Sequence, residues 1–341
     1  MSICFGHTDY WQSVTVRDLN KIHAVLQKDS IIPYVKALSE QSRWLNVGYD
    51  ASLKKSTTVH SYHDYMNTLT FYVNGFKQPH LYLAFKNQFN KKIDKSFYIK
   101  QFKGKIFWIR LQNFEPQNRL QAKKLNQIID TIRQYRNASY IIFDVRGNPG
   151  GNADYYRTLL KNLYGKDYLR SLGKGFLWNQ RWHQIWRVSK ENINALSQAP
   201  FIEKLQQAFR AGKTLYHEYW YILNPAGKSD KHNPVKAKIA ILTDGESYSS
   251  AWLFARVVLQ LPNTVQLGQP TGINSYYSEP RAIALHHGLM LNFPMGANLT
   301  PDTHFGKRFV PQFHYVGDMS NDKLVIPWVL KVLNGGTNKI K

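Results

Sequence analysis

The sequence predicts an α/β protein: a mixed sheet covered by helices, with a mostly helical cap at the N-terminus. Residues 104–163 alternate strand, helix, strand, helix in their apolar pattern. Residues 237–261 run strand, tight turn, helix, and the first 95 residues carry apolar positions at three- and four-residue spacing. Two domains follow from this: a cap at 1–95 that carries His80, and a core at 96–341 with an aromatic-rich insertion at about 160–234.

In the cap, Val16 to Leu26 and Ile31 to Trp44 have helical spacing, and Ser61 to Phe76 places Tyr65, Leu69, Tyr72 and Val73 on one face. His60 and His63 are three apart and able to meet on a helix, yet no third ligand matches them and no metal is expected. The core opens with Gly104 to Leu111, GKIFWIRL, a strong strand. Asn118 to Arg136 is an amphipathic helix with Leu125, Ile128, Ile129 and Ile132 inward. Tyr140 to Val145 is a buried strand ending in a polar turn with paired glycines, Gly150 and Gly151, and Asn152 to Leu163 is helical. Paired glycines let backbone approach a ligand closely, so their N–H groups are candidates to hold an oxyanion. Asp144 and Arg146 at the strand end are expected to brace this turn by an ion pair.

Between Leu160 and Pro234 the periodicity loosens, and Phe176, Trp178, Trp182, Trp186, Tyr216, Tyr219, Trp220 and Tyr221 make it the most aromatic part of the chain. These rings form either a groove for substrate side chains or ordinary core beneath long connections. Gly227-Lys228-Ser229 is not a phosphate loop, because the glycine required five residues earlier is Ile222.

Lys238 to Leu242 is a short apolar run closed by Thr243-Asp244-Gly245, and Ser250 to Leu261 then puts Ala251, Phe254, Ala255, Val258 and Leu261 on one helical face. Ser249 therefore stands at a helix N-terminus, where unpaired N–H groups and the helix dipole favour developing negative charge. The alternative is that Ser247 or Ser249 is an N-cap and nothing more. Thr264 to Gly268 is a strand, and Arg281–Leu285 with Leu289–Phe293 reads as a hairpin around His286-His287-Gly288. Ser320 to Leu333 is a helix with Leu324, Trp328 and Val332 inward and a kink at Pro327.

With 341 residues, 43% hydrophobic and 14% aromatic, the chain is long and apolar enough for a sizeable core. Lysine and arginine number 45 against 22 acidic residues, a net charge of +23. That balance suits either an anionic partner or surface, or a solvated cationic face; no zinc finger, basic zipper or RNA-binding signature accompanies it, so no specific nucleic acid is expected. Cys4 is the single cysteine, which excludes an intramolecular disulfide. The N-terminal stretch lacks a secretory signal and no run of 18 apolar residues occurs. The chain is expected either in the cytoplasm or, as a mature sequence with a start methionine, in the periplasm or outside the cell.

DVRGNPGG at 144–151, taken with TDGESYSSA at 243–251 and GQPTG at 268–272, resembles the S41 serine peptidases, which include the carboxy-terminal processing proteases and the tricorn-type core proteases. The resemblance runs from about Gly104 to Leu333 and implies a crotonase or ClpP-like core. It places the nucleophile on Ser249 and the oxyanion on backbone N–H groups of Gly150 or Gly151 and of Ser250. One branch uses a lysine after the GEPTxG-like segment; Asn274 stands there, so that mechanism is not expected. The tricorn-like branch draws a histidine from an Asp-Gly-His motif, and Gln78-Pro79-His80 followed by Leu81-Tyr82-Leu83-Ala84-Phe85 fits its place, making His80 the implied general base. The gap from His80 to Gly104 is too short for a PDZ domain. The family's glutamate near the C-terminus has no counterpart around Gly306 to Gln312, which leaves Glu279 and Asp302 as candidate supporting acids. The expected activity is hydrolysis of peptide bonds in peptides or proteins, with no metal or organic cofactor. Two other readings stand beside it: a degenerate relative that binds peptides or small apolar ligands, and a cationic protein that holds a polyanion.

Overall fold

The computed structural model describes residues 7–28, 39–78, 80–85, 97–223, 235–299 and 304–335. Cys4, Pro79, Gly227-Lys228-Ser229, Asp302 and the start of the helix expected from Ile31 lie outside them. In chain order the elements are α1 (His7–Gln27), α2 (Ser39–Ser56), α3 (Tyr62–Asn74), β1 (Tyr82–Phe85), β2 (Tyr98–Phe102), β3 (Ile106–Arg110), α4 (Arg119–Thr131), β4 (Tyr140–Asp144), α5 (Asp154–Tyr164) and α6 (Lys166–Ser171). They continue as β5 (Trp182–Arg187), α7 (Lys190–Ala195), α8 (Ile202–Arg210), β6 (Leu215–Trp220), β7 (Lys238–Thr243), α9 (Ser250–Val258), β8 (Thr264–Gly268), β9 (Tyr277–Ala284), β10 (Leu289–Asn298), β11 (Phe313–His314) and α10 (Asp322–Leu333).

The chain divides into two compact units, each assembled from separate stretches of sequence. The first comprises Met1–Lys91, Trp182–Trp220 and Ser275–Pro301. Its antiparallel sheet has the order β1-β10-β5-β6, with β9 also paired to β10. Leu19, Ile22, Leu69 and Tyr72 of the helices pack with Leu289, Leu291 and Phe293 of β10, and burying each such side chain stabilises by about 1.5–3 kcal/mol. Ser61 caps α3 by accepting the Asp64 N–H at 3.1 Å. The β9–β10 hairpin turns through His286–Gly288 as expected. Its tip is tied to α1 by Asp18, a buried carboxylate that accepts from Tyr65 Oη at 2.6 Å and from the His286 backbone N–H at 3.0 Å.

The second unit comprises Lys92–Arg181, Tyr221–Asn274 and Asp302–Lys341. Its sheet has the order β11-β8-β7-β4-β3-β2; β3, β4, β7, β8 and β11 run parallel, and β2 is antiparallel to β3. One face, with Trp108, Ile142, Ala240 and Leu242, packs on Val325, Val329 and Val332 of α10. On the other face Phe143 meets Phe254 of α9 edge-on at 5.2 Å. Coverage on both faces is why β4 and β7 read as continuous apolar runs rather than alternating ones.

The mixed α/β architecture with a helical N-terminal region is therefore present. Two local expectations change, and one left open is decided. The helix expected to end at Trp44 runs on to Ser56. α10 continues through Pro327 and turns Val325, Val329 and Val332 inward, while Leu324 is 57% exposed; both apolar lines fit a 3.6-residue period, and packing selects one. The loosely patterned stretch after Leu160 contains β5 and β6, and its Phe176, Trp178, Trp182 and Trp186 are buried core, whereas Tyr219 and Tyr221 are exposed.

Candidate active site

Two turns in the second unit, one after β7 and one after β4, meet at the carboxyl ends of the parallel strands. Ser249 ends the first with φ 54° and ψ −124°. A non-glycine residue held there carries strain on the order of 1–3 kcal/mol and persists only where its surroundings fix it. They do so here: Tyr248 N–H donates to Asn148 O at 3.2 Å, Ala251 N–H to Tyr248 O at 3.1 Å, and Gly272 N–H to Ser247 O at 3.1 Å. Ser249 occupies the N-cap position of α9, yet its hydroxyl makes no capping bond. Ser247 is fully buried, donates from Oγ to Val145 O at 2.7 Å and accepts the Asp244 N–H at 3.1 Å. Ser247 is thus a structural tie within the turn, and neither serine caps the helix.

The second turn approaches Ser249 through Gly150. A Cβ on Gly150 would lie 2.7 Å from Ser249 Cβ and 2.8 Å from the Ser250 nitrogen, and its φ of 100° suits only glycine. A Cβ on Gly151 would overlap the backbone of Phe114 and Glu115. Ser250 Oγ donates to Gly151 O at 2.5 Å. Gly150, Gly151, Ser249 and Ser250 are therefore brought together. Gly150 donates its own N–H to Asn148 Oδ1 at 2.8 Å, while the first N–H groups of a helix, that of Ser250 among them, lack an intrahelical acceptor.

Asn148 is a residue that sequence reasoning missed. It is fully buried, and besides accepting from Gly150 its Nδ2 donates to Leu111 O at 2.8 Å. The available signal was an asparagine in a Gly-Asn-Pro-Gly turn, where its side chain folds onto the backbone two residues on. Asp244 was likewise unassigned; it accepts the Gly147 N–H at 2.9 Å and the Glu246 N–H at 3.0 Å, joining the two turns.

The ion pair expected at the end of β4 is present and larger than expected. Asp144, with no exposed surface, accepts from Trp108 Nε1 at 3.0 Å, Arg110 at 2.5 Å and Arg146 at 2.6 Å. Arg146 reaches on to Met319 O and to Asp322 at 2.9 Å. Burial alone would raise the Asp144 carboxyl; the two guanidinium groups outweigh it and hold the group below the usual carboxylate range.

His80 belongs to the first unit, just ahead of β1, and is 8% exposed. Burial lowers its pKa to about 4, so the imidazole is neutral at physiological pH. Leu81 N–H to Gln78 O at 3.0 Å closes the turn that carries it, and Ser275 Oγ donates to Gln78 Oε1 at 2.6 Å. Glu279 is in the same unit, exposed on β9 with a left-handed φ of 48°. Among the described residues no three of histidine, cysteine, aspartate or glutamate gather as a metal site, and no helix is long and apolar enough to cross a membrane.

A strained serine at a strand-to-helix turn, with a glycine turn against its side chain, is the build of a serine-hydrolase nucleophile. The chain belongs to peptidase family S41: the family model of that description matches residues 105–313, more than half the chain. A lipoprotein from Streptococcus agalactiae shares the fold at 14% identity over 99% of both chains, with a TM-score of 0.51. Mature CPAF complexed with lactacystin shares it at 10% identity over 95% of this chain and 99% of that one, TM-score 0.59. The tricorn protease matches at 11% identity over 95% of this chain and 37% of that one, TM-score 0.50. A comparison with curated proteins finds no match. Family membership makes the protein a serine peptidase acting on peptides or proteins.

Proposed function

We propose that the protein cleaves peptide bonds through Ser249, with His80 as general base in the manner of the tricorn-like branch. The observation that carries this reading is the strained, uncapped Ser249 lying against Gly150. Ser249 Oγ attacks the scissile carbonyl as His80 takes its proton. The N–H groups of Gly151 and Ser250 hold the oxyanion, and Gly150 supplies the close approach. Collapse forms an ester on Ser249 while the histidine returns its proton to the leaving amine, and water activated by the same histidine then releases the second product. A buried imidazole with a lowered pKa is available as an acceptor but costly to charge, so a carboxylate has to stabilise the imidazolium; Glu279 and Asp302 are the candidates. A periplasmic or secreted setting, or else a cytoplasmic one, is compatible with this reading.

The acid limb of kcat/KM should fall with a midpoint near 4 rather than near 6.5, because activity requires neutral His80. The same shift acts on stability. The native state binds fewer protons than the unfolded chain between the two values, so stability falls as pH drops through that window, by on the order of 3 kcal/mol in all. His80→Ala should lower kcat/KM by about 10²–10⁴ with the circular dichroism spectrum unchanged. Full activity in folded His80→Ala would remove the histidine from the mechanism.

A further inference from the structure

A cavity of about 460 Å³ opens in the second unit at the carboxyl ends of β3, β4 and β7, beside the start of α10. That volume is within the roughly 300–1,000 Å³ of small-molecule sites. Arg110, Lys124, Arg146, Asp244 and Asp322 line it, and behind the wall the buried Asp144 links Arg110 to Arg146, which reaches Asp322, through contacts of 2.5, 2.6 and 2.9 Å. The inner members neutralise one another. The ends do not: among the described residues one of the five N–H donors of Arg110 is used, on Asp144, and the Asp322 side chain is 41% exposed. Two residues after Arg110 on the chain, Gln112 also lines the cavity, and its Oε1 is buried yet accepts no hydrogen bond from any described residue. A buried acceptor left unmet is unfavourable, and a ligand N–H would recover that cost.

The cavity thus presents a cation at one end, a carboxylate at the other and an acceptor near the cationic end. We propose that it binds a short unblocked peptide of dipeptide size, with the ligand carboxylate on Arg110, its amide N–H on Gln112 Oε1 and its ammonium on Asp322. A simple anion would leave Gln112 Oε1 and Asp322 unmet, and a blocked peptide would lose one or both ends. Gly147 and Asp244, whose hydrogen bond joins the two turns, also line the cavity, so an occupant touches the scaffold of Ser249. Peptide hydrolysis releases fragments bearing these two ends, which makes the cavity a place for product to act back on the site. The binding itself does not rest on the catalytic reading, since every contact invoked is outside the proposed catalytic set.

Calorimetric titration of the Ser249→Ala protein with L-alanyl-L-alanine, its N-acetyl form, its C-terminal amide and acetate tests this without turnover. The free dipeptide should bind at least tenfold more tightly than each blocked form and than acetate. Asp322→Asn and Gln112→Leu should each weaken the free dipeptide about tenfold, and Asp322→Asn should erase the preference over the N-acetyl form. Equal binding of acetate and dipeptide, dipeptide binding unchanged in both variants, or no heat at millimolar dipeptide would each overturn the proposal. Hydrolytic failure of the wild-type protein would leave it untouched.

Discussion

Ser249→Gly is expected to give a protein more stable than the parent by about 1 kcal/mol and without peptidase activity. The strain of holding serine at φ 54° is on the order of 1–3 kcal/mol and is relieved by glycine. Against it stands the added freedom of glycine in the unfolded chain, about 0.4–1 kcal/mol. The native-state gain is the larger. Removing a serine nucleophile costs on the order of 10⁶ in kcat in serine proteases. Urea unfolding monitored by tryptophan fluorescence, run beside hydrolysis of a mixed peptide library, measures both effects. A loss of stability would mean that the hydroxyl is itself a structural tie, as that of Ser247 is.

Asp144→Asn should destabilise the protein by about 3–5 kcal/mol, the effect of removing one partner from a buried ion pair. The substitution leaves Arg110 and Arg146 without their shared countercharge, while asparagine can still meet Trp108. The pH dependence has a definite sign. The native carboxyl is held below its unfolded value, so its contribution is complete above the unfolded pKa near 4 and disappears as pH falls through the lower native value. Chemical denaturation of parent and variant from pH 7 downward should show two curves that converge in acid. Parallel curves would show that the Asp144 charge contributes little.

The two turns were legible in the sequence because glycine, proline, asparagine, aspartate and serine mark such structure, and because parallel strands covered on both faces are plain apolar runs. β5 and β6 were not. In WHQIWR the two tryptophans share a face with Gln184 while Ile185 lies on the other, and LYHEYW places large rings on both faces, so no two-residue alternation of apolar and polar residues survives. The inward face of α10 was misplaced on Leu324 because Leu324 and Val325 begin equally apolar lines, and only packing against Trp108 and Ile142 separates them. Asn148 and Asp244 act on neighbouring backbone, and those contacts exist only once β4 and β7 lie side by side. His80 could be chosen by type and motif, but its lowered pKa comes from burial that no local pattern records.

The central claim is that Ser249 is a nucleophile activated by His80. Reaction with a fluorophosphonate, read by intact mass and located by peptide mapping, tests it most directly. One adduct is expected on wild-type protein, carried by Ser249, absent from Ser249→Ala and Ser249→Gly and strongly slowed in His80→Ala. An adduct on another residue, or none on folded wild-type protein, would contradict it.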